Sequence, residues 1–278
     1  MGDLITIDIA GIVTALDIAD AQYAAQTRAY LSAFLAVGML PQLTVRVRVT
    51  PGARFVPLRA GPWVIETALN DGRLTYRSFF DSGWADFTRG EAALDIAPEC
   101  DVENFLRVLY AHLCVRGGGL LLHAAGVIRD GRGFVFCGKS GAGKSTTAQL
   151  SLEAGVTVLS DDLVIVRRQG DAFRVYGVPF RGTFAEGLRT RADAELAGVY
   201  ALVKDGAHFV TASTAPQAVA ALARCAPFVM SQPAASAHVI AFCRALSAQT
   251  FVGELHFRKD AGFWAAIDES ITPVPHPA

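Results

Sequence analysis

What this sequence lacks narrows it first. It has no surplus of charge: 25 Lys and Arg stand against 26 Asp and Glu, a formal net charge of −1. Without a basic excess to neutralise a phosphate backbone, an obligate nucleic-acid binder is not expected. No uncharged apolar run reaches about 18 residues, so no membrane span is expected either. A signal peptide is not evident, because Asp3 follows almost at once on the initiator and Asp8 and Asp17 break the first apolar run. Cysteine is sparse and unpaired in pattern. Cys100, Cys114, Cys137, Cys225 and Cys243 include no CxxC, and most lie in apolar surroundings. Such a set reads as buried free thiols in a reducing compartment, and the expectation is a cytoplasmic protein.

What is present is apolar and structured. Hydrophobic residues make up 52% of the 278 and charged residues 18%, enough for a chain of this size to bury roughly 75% of its extended surface. Residues 1–100 carry mostly period-two texture. Residues 4–16 read as one or two strands and residues 43–49 alternate cleanly, with Arg46 and Arg48 on the solvent face. WVIETAL and RLTYRSFF flank an Asn70-Asp71-Gly72 turn and read as a hairpin. The alanine-rich stretch 20–37 reads as the one helix of this small, mainly β region.

At residue 101 the period becomes helical, with Asp101 as a cap and Phe105, Leu106, Leu109 and Leu113 at three- and four-residue intervals. The glycines at 117–119 end that helix. Two apolar strands follow, joined by a four-residue turn at 130–133, a link that suits an antiparallel pair. Beyond them come a helix from Lys144 to about Glu153, strands at VTVL, LVIVRR and FRVYGV, helices near 216–224 and 235–246, and a last strand at 251–257. The fold class read from this order is α/β with a mixed sheet. The expected organisation is a β-rich region over 1–100, an α/β core over 101–270 and a proline-rich tail over 271–278.

The chemistry concentrates at Gly138-Lys-Ser-Gly-Ala-Gly-Lys144-Ser145, which fits GxxxxGK[ST] with an apolar strand before it and a helix after it. Glycines let consecutive backbone N–H groups turn inward around a phosphate, and the helix start adds the positive end of its dipole. Gly138, Ser140, Gly141, Ala142, Gly143, Lys144, Ser145 and Thr146 are thus the candidate nucleotide-binding residues. Lys144 is the point charge for the β and γ phosphates, and the Ser145 hydroxyl a ligand for magnesium. The implied cofactors are ATP and Mg2+.

Asp161 and Asp162 end VTVLSDD, seventeen and eighteen residues beyond Lys144. Two adjacent carboxylates are poor core residues unless a cation or proton separates their charges. One would bind the metal and the other would orient or deprotonate an attacking hydroxyl; the residues alone leave open which does which. His123, in LLLHAAGV just ahead of the cradle strand, could reach the phosphates from the side or serve as a bonded core residue. The remaining histidines, His112, His208, His238, His256 and His276, have no metal-ligand spacing.

The run LLHAAGVIRDGRGFVFCGKSGAGKSTTAQLSLEAGVTVLSDDLVIV resembles the nucleotide-binding core of HPr kinase/phosphorylase and its wider group of kinases. The likeness covers about residues 123–187 well and the rest of the C-terminal part loosely. It implies a P-loop kinase core related to phosphoenolpyruvate carboxykinase, with an antiparallel strand inserted in the sheet. It also implies that Asp161 is the base, that Asp162 and Ser145 lie near magnesium, and that His123 lies near the transferred phosphate. Arg181-Gly182 matches the family's Arg-Gly, whereas Pro179 stands where those kinases have an acid, with Glu186 as the replacement within the same loop. Thr146-Thr147 replaces a glutamate, and the first hundred residues do not resemble the regulatory domain.

The expected activity is ATP- and Mg-dependent phosphorylation of a hydroxyl, either a serine of a peptide or protein or an alcohol on a small molecule. Arg181 is the candidate contact to phosphate or to an anionic acceptor, with Arg258 a weaker one. A nucleotide-responsive NTPase and a catalytically reduced nucleotide-binding module are the alternatives. Partners expected are the nucleotide and its acceptor, with no nucleic acid and no membrane; the resemblance implies a homo-oligomer.

Overall fold

The computed structural model describes residues 2–58, 64–182 and 190–271. They form a mixed α/β architecture that divides into two compact units, Met1–Leu113 and Cys114–Ala278. No described helix is long and apolar enough to cross a membrane.

The first unit opens with β1 (Asp3–Ile9) and β2 (Ile12–Ile18), a hairpin. Its two-residue turn, Ala10-Gly11, has both residues at positive φ, and the Asp8 carboxylate accepts the Gly11 N–H at 2.7 Å. That turn twist matches the strands it joins, which settles the 4–16 stretch as two strands. Helix α1 (Ala21–Tyr30) starts where Asp20 accepts the Tyr23 N–H at 2.8 Å. It ends seven residues short of the alanine-rich stretch. Leu31 and Phe34 are buried, a 3-10 turn takes over at Ser32–Phe34, and the Ala36 N–H then bonds Thr6 of β1. Pairing with the sheet edge outweighs helix propensity there.

Strands β3 (Leu43–Val49), β4 (Glu66–Asn70), β5 (Arg73–Arg77), β6 (Asp81–Asp86) and β7 (Glu91–Ile96) complete a seven-stranded sheet of order β1-β2-β3-β7-β6-β5-β4. The β2–β3 and β3–β7 pairs are parallel and the others antiparallel. Arg46 and Arg48 are exposed on β3 between buried Val45 and Val47. Helix α2 (Glu103–Arg116) contributes Tyr110, whose hydroxyl lies 2.8 Å from Thr14 Oγ1, and Phe105, which packs edge-on to Tyr76.

In the second unit β8 (Gly119–Arg129) and β9 (Arg132–Cys137) pair antiparallel across the short turn, as expected. After α3 (Lys144–Glu153), strands β10 (Thr157–Ser160) and β11 (Leu163–Gln169) both run antiparallel to β8. Strand β12 (Ala172–Tyr176) joins β11 to β13 (Asp193–Lys204), and β13 runs parallel to β9. Strands β8, β11, β12, β13 and β9 therefore close a ring of hydrogen-bonded neighbours. Beyond β13 lie β14 (Phe209–Ala212), α4 (Ala215–Ala223), α5 (Pro233–Gln249), β15 (Phe251–Phe257) and α6 (Phe263–Ile271). β15 is parallel to β13 and antiparallel to β14.

The cradle strand is anchored by aromatic packing. Phe134 meets Trp264 edge-on at 5.2 Å and Phe136 meets Phe263 at 6.0 Å, within a cluster that also holds Ala148 of α3 and Phe257 of β15. Arg129 lies over the Trp264 ring at 4.7 Å and pairs with Asp268 at 2.9 Å. These contacts give the loop after β9 a rigid base.

Candidate functional site

Between β9 and α3 the chain must turn back on itself in six residues, and at two of its three glycines a side chain would collide. A Cβ on Gly138 would lie 2.7 Å from that of Ala142, and one on Gly143 would lie 2.6 Å from the Phe257 ring. Gly143 also has a φ of +116°, a conformation glycine adopts without strain. Lys144 is buried, and its Nζ reaches back to the Gly138 carbonyl at 3.0 Å, so its ammonium lies against the loop it follows. The helix start is tied by Thr147, whose hydroxyl donates to the Lys144 carbonyl at 2.9 Å.

The two aspartates sit in the break between β10 and β11. On either side of them Ser160 pairs with Gly126 and Leu163 with His123, both on β8. The Ser160 hydroxyl accepts the N–H groups of Asp162 and Leu163, each at 3.2 Å, and shapes the turn that carries both carboxylates. Asp161 is 2% exposed. Its Oδ1 occupies the space a side chain at 182 would need: a Cβ on Gly182 would lie 1.5 Å away. Asp162 is half-buried, with its Oδ1 3.1 Å from His123 Nδ1.

These groups converge on a cavity of about 440 Å3. His123, Lys144, Ser145, Asp161 and Asp162 line it, together with Ser140, Gly141, Gly143 and Thr146 of the loop and its helix. Gly138 and Ala142 line instead a larger cavity of about 920 Å3, which shares His123, Gly141 and Lys204 with the smaller one. Arg181 is exposed and lines neither cavity; the member of its Arg-Gly pair that reaches Asp161 is Gly182. Arg258 is exposed and paired with Asp260. Glu186 lies outside the described residues.

Three features of the site escape a reading by pattern. Lys204, at the end of β13, lines both cavities. Its strand is parallel to β9, with Ala201 opposite Cys137, so Lys204 lies at the carboxyl end of the sheet beside the loop. Ligand sites favour that end of parallel strands, and the Lys-Asp-Gly closing the apolar run 196–203 is the signal that could have marked it. Ser160 and Gly182 act through a turn and a close approach, which only a folded chain displays.

Chemically the arrangement sets cationic Lys144 and Lys204, a hydroxyl and a run of backbone N–H donors against two carboxylates around one void. That donor set suits a polyphosphate carrying a divalent cation. Among the described residues no group of three or more His, Cys, Asp or Glu is placed to hold a metal. A cation here would take the rest of its ligands from phosphate and water, the usual habit of magnesium.

The family model described as "ScmC: SynChlorMet cassette protein ScmC" matches residues 99–251, just over half of the chain. The chain belongs to that family. No curated protein matches it in sequence. Among solved structures, the HPr(Ser) kinase/phosphatase from Coxiella burnetii is similar at 10% identity, over 54% of this chain and 94% of that one. The TM-score is 0.32, too low to establish a shared fold.

Proposed function

We propose that this protein transfers the terminal phosphoryl group of ATP·Mg2+ to a hydroxyl acceptor, on a P-loop kinase core of the HPr kinase type. One observation supports this above the rest: the GxxxxGK[ST] loop and the Asp161-Asp162 pair, distant in sequence, line the same cavity. The sequence resemblance to HPr kinase around these residues supports a hydroxyl rather than water as acceptor.

In this reading the N–H groups of Gly141, Gly143, Lys144, Ser145 and Thr146 and the Lys144 ammonium hold the phosphates, the Ala142 N–H being bonded to the Lys139 carbonyl at 3.0 Å; Ser145 and Asp162 would hold magnesium, which would neutralise charge on the phosphates. His123 acts as a positioning residue, its ring beside the Asp162 carboxylate. Asp161 takes the proton of the acceptor hydroxyl as that oxygen bonds to the γ-phosphorus. The bond to the β,γ-bridging oxygen breaks and ADP leaves. Lys204 adds positive charge beside the transferring group.

The acceptor's place follows from the direction of the loop. A triphosphate on such a loop runs from γ, beside the lysine, toward the helix start at Thr146, where the nucleoside departs. The body of the acceptor is assigned to the larger cavity, lined by Gly138 and Lys139 from the other end of the loop, with its hydroxyl reaching into the smaller cavity that Asp161 lines.

The test is to incubate the protein with γ-labelled ATP, Mg2+ and a mixture of hydroxyl metabolites and serine-containing peptides. Label transferred to one acceptor, with little ATP loss in its absence, is the expected result. ATP hydrolysis independent of any acceptor would identify an NTPase. Binding of ATP with no loss of its γ-phosphate would identify a binding module.

A further inference from the structure

Two thiols 88 positions apart meet at the first glycine of the phosphate loop. Cys137 ends β9 and pairs across the sheet with Ala124. Cys225 follows α4, and its carbonyl accepts the N–H of His123, the residue before Ala124, at 2.7 Å. One short stretch of β8 thus sets both cysteines on the wall of one cavity, where the Cys225 thiol donates to the Ala221 carbonyl at 3.4 Å. Both cysteines line the 920 Å3 cavity, so a small solute has access to a pair otherwise enclosed by the fold.

We propose that Cys225 is a nucleophilic thiol open to hydroperoxides through this cavity, and that Cys137 is the thiol that resolves it to a disulfide. The Cys225 thiolate attacks one oxygen of hydrogen peroxide. The O–O bond breaks and the departing hydroxide, with one proton, leaves as water. The Cys137 sulfur then attacks the Cys225 sulfenic acid; the S–S bond forms, the S–O bond breaks and a second water leaves. Two thiols and one peroxide give one disulfide and two waters, the peroxide taking both electrons.

The chemistry of the pair is asymmetric in the sense the reaction needs. Neighbouring Cys137, then the Gly138 N–H, His123 and Lys144, hold the Cys225 thiol down at about 7 against the opposing effect of burial. Cys137 is raised well above the usual thiol range by its neighbour Cys225 and by burial, so it keeps its proton until Cys225 is oxidised. Burial pushes Cys114 and Cys243 up to about 12, which sets Cys225 apart. None of this depends on phosphoryl transfer.

The full chain is treated with hydrogen peroxide, alkylated and digested without reduction. The expected product is a peptide joining Cys137 to Cys225, with the protein lighter by two hydrogens. In native alkylation with iodoacetamide at neutral pH, Cys225 should react roughly a hundredfold faster than Cys243, its larger thiolate fraction being partly offset by lower intrinsic nucleophilicity. In the Cys137→Ser protein, dimedone should trap a sulfenic acid at Cys225. Disulfides joining other cysteines overturn the proposal. So do both thiols remaining reduced at a peroxide dose that oxidises free glutathione, and so does alkylation of Cys225 no faster than of Cys243.

Discussion

The two units use the same polar residue types for different ends. In the first, carboxylates serve the backbone: Asp8 accepts from Gly11, Asp20 from Tyr23, Asp86 from Thr88 and Arg89, and Asp101 from Glu103. Its exposed ion pairs, Arg28 with Asp3 and Arg54 with Glu99, are of the kind that contribute little to stability. In the second unit Asp205 and Asp260 serve turns in the same way, but Asp161, Asp162, Lys144 and Lys204 are turned to a shared cavity. A carboxylate spent on a turn or cap strengthens the fold, whereas like charges gathered at a void gain only when a ligand neutralises them. That difference, more than residue composition, directs the search for function to the second unit.

The largest effect should come from the carboxylate assigned as base. Asp161→Asn is expected to lower phosphoryl transfer by about 10²–10⁴-fold while ATP affinity stays within a few-fold, read by single-turnover transfer of labelled phosphate beside equilibrium binding. An unchanged rate removes Asp161 from the chemistry. Lys144→Ala should reduce transfer by about 10²–10³-fold, and nucleotide titration should show binding weakened as well.

A titration sharpens the contrast from the other side. Asp81 in the first unit is fully buried, and burial raises its carboxyl to about 6, although the Tyr76 hydroxyl donates to it at 2.7 Å. Between its ordinary 3.8 and about 6 the folded state binds the extra proton. Stability contributed by this group is therefore full below the lower value and lost as pH rises through the upper one. Urea unfolding at a series of pH values should show this loss, on the order of 3 kcal/mol, and Asp81→Asn should flatten it. If the slope survives the substitution, another group carries it.

Gly182→Ala follows. The new methyl would collide with the Asp161 carboxylate, so a loss of about 1–3 kcal/mol in stability is expected, with a fall in transfer rate. Asp20→Ala, which removes the cap of α1, should destabilise by about 1 kcal/mol and leave nucleotide affinity unchanged. A change in affinity there would break the comparison between the units.

Some of this molecule was legible by pattern, and the reasons are local. The hairpin at Asp71-Gly72 and the β8–β9 turn at Asp130-Gly131 have both central residues at positive φ, the geometry such residues announce. The phosphate loop announces itself because Gly138, Gly141 and Gly143 all stand at positive φ, which other residues rarely adopt. Strand β13 went unmarked because its middle is buried on both sides, so the alternation that betrays a half-exposed strand is absent. Lys204 was hidden with it. Helix α1 was drawn too long because its alanines favour helix equally well beyond Tyr30, and only the edge of β1 draws that segment away.

By itself the order of residues determined the loop, the helix that follows it, the carboxylate pair and most strand boundaries, since each depends on neighbours within one turn or one strand. The tertiary structure alone decided that those carboxylates share a cavity with the loop, that Gly182 makes room for Asp161, that Lys204 stands beside them and that Cys137 and Cys225 line one cavity. Each of those facts is an approach between distant parts of the chain. Such approaches are set by strand pairing through β8 and β13, whose partners no short-range pattern specifies.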